Sequence, residues 1–185
     1  MHRMICEVRR RPRWAALLLF IGLGACQEAT SGPVASHELL DQGADNVVFG
    51  MTSFMTANGI REGRVEADTA FMYADSARAK LRQMRIVFYN EDGTEKATVE
   101  GTSGEWDQNT DMMLARGDVL LVVHRDGRRI ESAEINYDPA EDKIWSDSAT
   151  VQTLANGRVT RGSAFESDME FRNVRILNIR GAIAR

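Results

Sequence analysis

From residue 47 onward, apolar and polar positions alternate. Val65, Ala67, Thr69, Phe71 and Tyr73 are interleaved with Arg64, Glu66 and Asp68, which is the period-2 signature of a half-buried strand. Met84, Ile86 and Phe88 face one way against Gln83 and Arg85. Residues 120–123 are apolar on both faces and predict a strand covered on both sides. Near the end, Leu177, Ile179 and Ile183 alternate with Asn178 and Arg180, predicting one long last strand that also carries Arg172 and Arg175. No segment shows a sustained helical stripe. The pattern predicts an all-β chain of roughly nine to eleven strands in up-and-down order.

Turn signals punctuate these strands at a steady interval. Asn58 and Gly59, Asp92 and Gly93, Asp126 and Gly127, and Asn156 and Gly157 place glycines 34, 34 and 30 residues apart. Such dipeptides suit type I′ hairpin turns, which need φ > 0 at both central residues. Side chains repeat as well. Val99, Glu100, Gly101 lead seven residues on from Val99 to Trp106 and Asp107; Ile130, Glu131, Ser132 lead by the same seven to Tyr137 and Asp138. Val65, Glu66, Ala67 open an earlier unit that reaches Tyr73 one residue late. Each unit therefore reads as strand, terminal aromatic, polar turn, returning strand. Repetition of one supersecondary unit points to a scaffold with a long surface or groove.

Residues 1–25 stand apart from this pattern. Arg3, Arg9, Arg10, Arg11 and Arg13 form a basic region, residues 14–23 an apolar run, and Gly24 and Ala25 precede Cys26. That is a secretory signal, too short to span a membrane. Residues 23–26 resemble a bacterial lipobox, which predicts a lipoprotein signal peptide (1–25), an acylated Cys26 with a flexible tether (26–45), and a folded domain (46–185). The other cysteine, Cys6, falls inside the signal, so the mature domain has no disulfide and holds together by core burial. Removing residues 1–25 takes away five arginines and Glu7 and moves the formal charge from −4 to −8. An acidic domain argues against nucleic acid as a partner.

Candidate chemistry is sparse. The mature chain has two histidines: His37 in the tether, and His124 beside a turn, where it reads as a turn-flanking polar residue. Asp107, Asp138, Glu141, Asp142 and Asp147 could suggest calcium, but turns favour Asp and Asn for backbone reasons. There is no HExxH and no Gly-rich phosphate loop. The sequence gives no ground for an enzyme, a cofactor or a metal.

The order of these features is familiar: the Gly59 turn; Val65, Glu66, Ala67; Phe88 and Tyr89 before Asp92 and Gly93; and Trp106 and Asp107. Next come Ala115, Arg116, Gly117, Asp118, Val119; Asp126 and Gly127; Tyr137 and Asp138; Ser146 and Asp147; and residues 162–168, Gly-Ser-Ala-Phe-Glu-Ser-Asp. Over residues 47–183 it resembles the LptC family and related OstA-like domains. The resemblance implies an OstA-like twisted antiparallel β-jellyroll, an open roll built from repeated strand-turn-strand units. It also implies a periplasmic role in lipopolysaccharide transport. Lipid would be received from an inner-membrane ABC transporter (LptF/LptG-like subunits). It would pass to an LptA-like bridge docked on the C-terminal edge. Family members known for a transmembrane anchor differ from this chain, whose lipobox predicts a lipid anchor. The family role favours the inner membrane, whereas Gln27 after the cysteine fits outer-membrane sorting.

The resemblance brings Thr52, Leu81, Met169 and Ile179 forward as residues lining an apolar trough for acyl chains. Alternation adds Phe54, Ile86, Phe88 and Phe171. Each could equally be plain core, and a one-residue register error would move a strand's whole set to the other face. The alternative reading is a structural envelope lipoprotein whose roll is solid and only docks other proteins.

Overall fold

A computed structural model describes residues 43–57 and 59–183. The signal peptide, Cys26, His37, most of the tether, and Asn58 lie outside the described residues. All regular structure among the described residues is strand, and no helix among them is long and apolar enough to cross a membrane.

Six long strands come first: β1 (Asn46–Ala57), β2 (Ile60–Tyr73), β3 (Arg78–Tyr89), β4 (Glu95–Asp107), β5 (Met113–Val123) and β6 (Arg128–Asp138). Each pairs antiparallel with the next, as the up-and-down pattern predicts. Six short strands follow: β7 (Lys143–Ser146), β8 (Thr150–Thr153), β9 (Val159–Gly162), β10 (Ala164–Asp168), β11 (Arg175–Leu177) and β12 (Gly181–Ile183). The sheet forks at β6. Residues 136–138 of β6 pair with β7, which continues to β10 and β11; residues 129–132 pair with β8, which continues to β9 and β12. The fold is an open antiparallel β-roll.

Inner positions are apolar and outer positions are charged. Val65, Met84, Ile86, Val99, Leu121, Ile130, Ile144 and Phe165 belong to one buried cluster. On the opposite face, Arg64, Glu66, Arg85 and Glu100 form a ladder of ion pairs across β2, β3 and β4. Glu105, Arg116 and Glu134 do the same across β4, β5 and β6. Such pairs contribute little singly; they fix which face stays in water.

The alternation breaks at one level of the sheet. Buried positions on β3 run Ala79, Leu81, then Met84, Ile86, Phe88; on β4 they run Ala97, Val99, then Gly104, Trp106; on β6, Ile130, Ser132, then Ile135, Tyr137. Parity changes each time. Strand β5 absorbs the step with an extra residue at Gly117 and Asp118, where φ is +78° and +50°, and the ladder shifts register beside them. Gln83 on β3 also has φ of +49°. These bulges bend the sheet, so that one inner face can stay inside along strands of more than ten residues.

The turn chemistry differs from the I′ expectation. Gly59, Gly93, Gly127 and Gly157 have positive φ, but Asp92, Asp126 and Asn156 do not. The Gly93 N–H donates to the Asn90 carbonyl and the Asn90 N–H to the Thr94 carbonyl, and residues 154–158 repeat this arrangement. These are three-residue loops in which glycine alone takes the left-handed position. The acidic or amide side chain instead accepts from the N–H two residues on: Asp92 from Thr94, Asp126 from Arg128, Asn156 from Arg158. At the opposite turns Asp107 and Asp138 accept from their own turn amides.

The long last strand is also corrected. Asn178, at φ of +48°, separates β11 from β12, and the two pair with different partners, β10 and β9. The two branches of the fork meet here. The Ser163 N–H donates to the Leu177 carbonyl, and a Cβ at Gly162 would overlap that carbonyl and Ile176 Cγ2, so only glycine fits. At the fork itself, buried Ser132, Ser146 and Thr150 share hydroxyl hydrogen bonds, Ser132 Oγ lying 2.8 Å from Ser146 Oγ. They satisfy polar groups that the parting ladders leave behind.

Candidate functional site

The interior of the roll and its mouth bring together most of the candidate residues. Leu81, Ile86, Phe88 and Phe171 are buried in the inner cluster, and Met169 packs half-buried against it. Thr52 and Phe54 lie on the outer face of β1, opposite Glu66 and Arg64; Met51 and Met55 take the inner positions. Phe54 is 48% exposed and carries the Arg61 guanidinium 4.1 Å above its ring. Ile179 is 59% exposed, in the short link between β11 and β12. The eight residues thus divide into an inner group of five and an outer group of three.

The inner group reaches the surface at a cavity of about 680 Å³ at the mouth of the roll. Its apolar wall is Ile60, Phe88, Tyr137 and Met169; its rim carries Arg61, Lys96 and Arg172 among Glu62, Asp142 and Glu170. A neighbouring cavity of about 380 Å³ shares Asn90, Lys96, Glu170 and Arg172 with it. The ion pair between Lys96 Nζ and Glu170 Oε1 belongs to both rims. Behind the first cavity, the Phe88 ring sits 5.2 Å from that of Tyr137 and 6.4 Å from that of Phe171, in tilted contacts typical of aromatic packing. Burial, together with Glu62, Asp111, Asp138 and Asp142 nearby, holds the Tyr137 phenol well above its usual range, so it stays neutral.

The loop after β10 forms one side of this mouth. Burial opposes the Asp168 charge, but bonds from the Arg172 N–H (2.8 Å) and from Asn173 Nδ2 (2.6 Å) outweigh it and hold the carboxyl below its usual range. Elsewhere, His124 Nε2 lies 2.8 Å from Thr98 Oγ1, a turn-flanking role. Among the described residues no group of three His, Cys, Asp or Glu side chains is placed to hold a metal ion. Pattern reading missed Lys96, Tyr137 and Glu170 as site residues. Tyr137 carried a signal as a strand-terminal aromatic; Lys96 and Glu170 carried none, being 74 positions apart in the chain.

The chain matches the family described as lipopolysaccharide-assembly, LptC-related, over residues 14–184. No curated protein is detectably similar in sequence. Among solved structures it is similar to LptH, described as the LptA-homologous periplasmic component of the lipopolysaccharide transport device of Pseudomonas aeruginosa. That likeness has a TM-score of 0.50 at 15% identity and covers 64% of this chain and 84% of the other; it shows a shared fold.

Proposed function

The chain belongs to the LptC-related family of lipopolysaccharide-assembly proteins, and from that premise we propose that it is a membrane-anchored periplasmic segment of the lipopolysaccharide route. It takes lipid from an inner-membrane ABC transporter with LptF/LptG-like subunits and hands it to an LptA-like bridge. Cys26 would carry the lipid anchor and hold the roll at the periplasmic face of the inner membrane. The observation that carries the reading is a single apolar inner face running the length of the long strands and opening at the mouth cavity. A ~14-carbon acyl chain exposed to water costs on the order of 10 kcal/mol. A continuous apolar path removes most of that cost, and the transporter's ATPase supplies the drive.

Leu81, Ile86, Phe88, Met169 and Phe171 are the proposed lining. Ile179 is proposed at the exit, on the C-terminal edge that the bridge extends by strand addition. Thr52 and Phe54 face the other way and serve as comparison points. A second reading is favoured by one observation: Phe165, Phe171 and Leu81 are fully buried in the inner cluster, so the roll is filled. A filled roll would be a structural lipoprotein that only docks partners. Photo-crosslinking residues at Leu81 and Phe88, compared with Thr52, Phe54 and Arg82, separate the two. The transport reading expects lipopolysaccharide captured from the inner positions in cells. Equal capture from both faces, or capture of protein alone, would favour the docking reading.

A further inference from the structure

A filled interior and a lipid route are reconciled if part of the filling can leave. We propose that the loop at residues 169–174 is a displaceable plug, with Phe171 occupying the place that an acyl chain takes when the site is loaded. This rests on the transport reading above and deepens it.

The geometry singles out this loop. Phe171 is 0% exposed, yet it comes from a segment between β10 and β11 that takes no part in either ladder. Its φ is +52°, the left-handed region that a bulky side chain rarely adopts. A glycine would suit the backbone, so a phenylalanine is held there by what its ring fills. The residues on both sides, Met169, Glu170 and Arg172, line the mouth cavity. Lifting the loop would open that cavity directly onto Phe88 and the interior.

Besides the apolar packing of Phe171, Met169 and Val174, polar contacts at the rim hold the loop. The Phe171 N–H donates to the Asp168 carbonyl at 3.1 Å, Arg125 Nη2 donates to the Phe171 carbonyl at 3.1 Å, and Lys96 pairs with Glu170. Arg172 also pairs with Glu170 at 3.6 Å. Displacement breaks the contacts to Asp168, Arg125 and Lys96 and no strand pairing. The Arg172–Glu170 pair lies inside the loop and moves with it. Displacement also leaves Lys96 and Arg125 without their loop partners, Lys96 at the rim of both cavities and Arg125 at that of the second. Two cations beside an apolar interior suit an amphiphile with acyl chains and an anionic headgroup, such as a phosphorylated acyl-glycolipid.

The test uses the full chain with a photo-crosslinking residue at Phe88 and purified lipid A as probe. Glu170→Gln releases the rim contact without touching the core and keeps the Lys96 cation, and Phe171→Gly removes the plug and suits the backbone. Both should raise capture several-fold over the parent. In the parent, lipid A should speed amide exchange at residues 169–174 and leave the turns at Gly93 and Gly157 unchanged. Capture unchanged by Glu170→Gln, with exchange at the loop unmoved by bound lipid, would overturn the plug and leave the transport reading intact. No capture in any variant, with no exchange response, would overturn both. If Phe171→Gly fails to fold, Glu170→Gln and the exchange measurement decide the matter alone.

Discussion

The six-strand half and the forked half of this roll are stabilised by different means. Strands β1 to β6 run 11 to 14 residues, with apolar inner rows and charged outer ladders. Strands β7 to β12 run 3 to 5 residues and depend on hydroxyl contacts, one glycine crossing and a capped loop. In the first half, one lost contact is backed by many neighbours in the same ladder. In the second, single residues fix how whole branches sit. Moving parts belong to the low-stability end of a fold, and the proposed plug lies there.

The largest expected effect is in the long half. Leu121 is fully buried near the end of β5, between Val99 and Ile130. Leu121→Ala should cost about 2–5 kcal/mol, a transfer term plus a cavity term, read as a lower urea midpoint with an unchanged slope. The loss should be global, with exchange protection falling in β2 to β6 together. Loss confined to β5 would mean that the long ladders do not act as one cooperative unit.

Gly162→Ala probes the other half. The added methyl would overlap the Leu177 carbonyl and Ile176, so β11 must move off β9. Overpacking of this kind costs roughly 1–3 kcal/mol. The expected signature is local: faster exchange at Ser163 and across β11 and β12, with β2 to β5 unchanged. A global loss as large as that of Leu121→Ala would erase the distinction between the halves.

The halves also differed in how far the sequence revealed them. Val65, Met84 and Ile86 alternate cleanly, so the strands of the long half were legible from period 2. The faces were legible only in part, since Thr69 and Phe71, read with Val65, lie opposite the exposed Arg82 and Lys80 while Ala70 takes the inner position. The bulges were less so. Gln83 and Asp118 take positive φ in strands whose composition signals no break, and the resulting change of parity cannot be seen without the partner strand. Thr52 and Phe54 show the cost of that on β1, where Gly50 at φ of +60° resets the alternation. In the forked half, residues 172–183 read as one long strand because Leu177, Ile179 and Ile183 keep the right spacing. Nothing local shows that β11 and β12 belong to different branches, since pairing is decided by β10 and β9. Of the candidate site, Phe88, Met169 and Phe171 were named from the sequence; Lys96 and Glu170 were not, because only the folded chain brings them together.

The smallest effect tests the loop at the meeting point of the two regimes. Asp168 accepts from the Arg172 N–H and from Asn173, and its carboxyl is held below the ordinary value of 3.8. A group depressed in the folded state contributes stability that is fully present above its unfolded value and fades as pH falls through its folded value. Native protein should therefore exceed Asp168→Asn in stability at neutral pH, by an amount that shrinks as the pH is taken below 3.8. The side chain is partly in contact with water, so the gap should be small, well under that for Gly162→Ala. Paired urea titrations at neutral and acid pH measure it. A gap independent of pH would show that the Asp168 charge does not hold the loop, leaving Lys96 and Arg125 as its polar restraints.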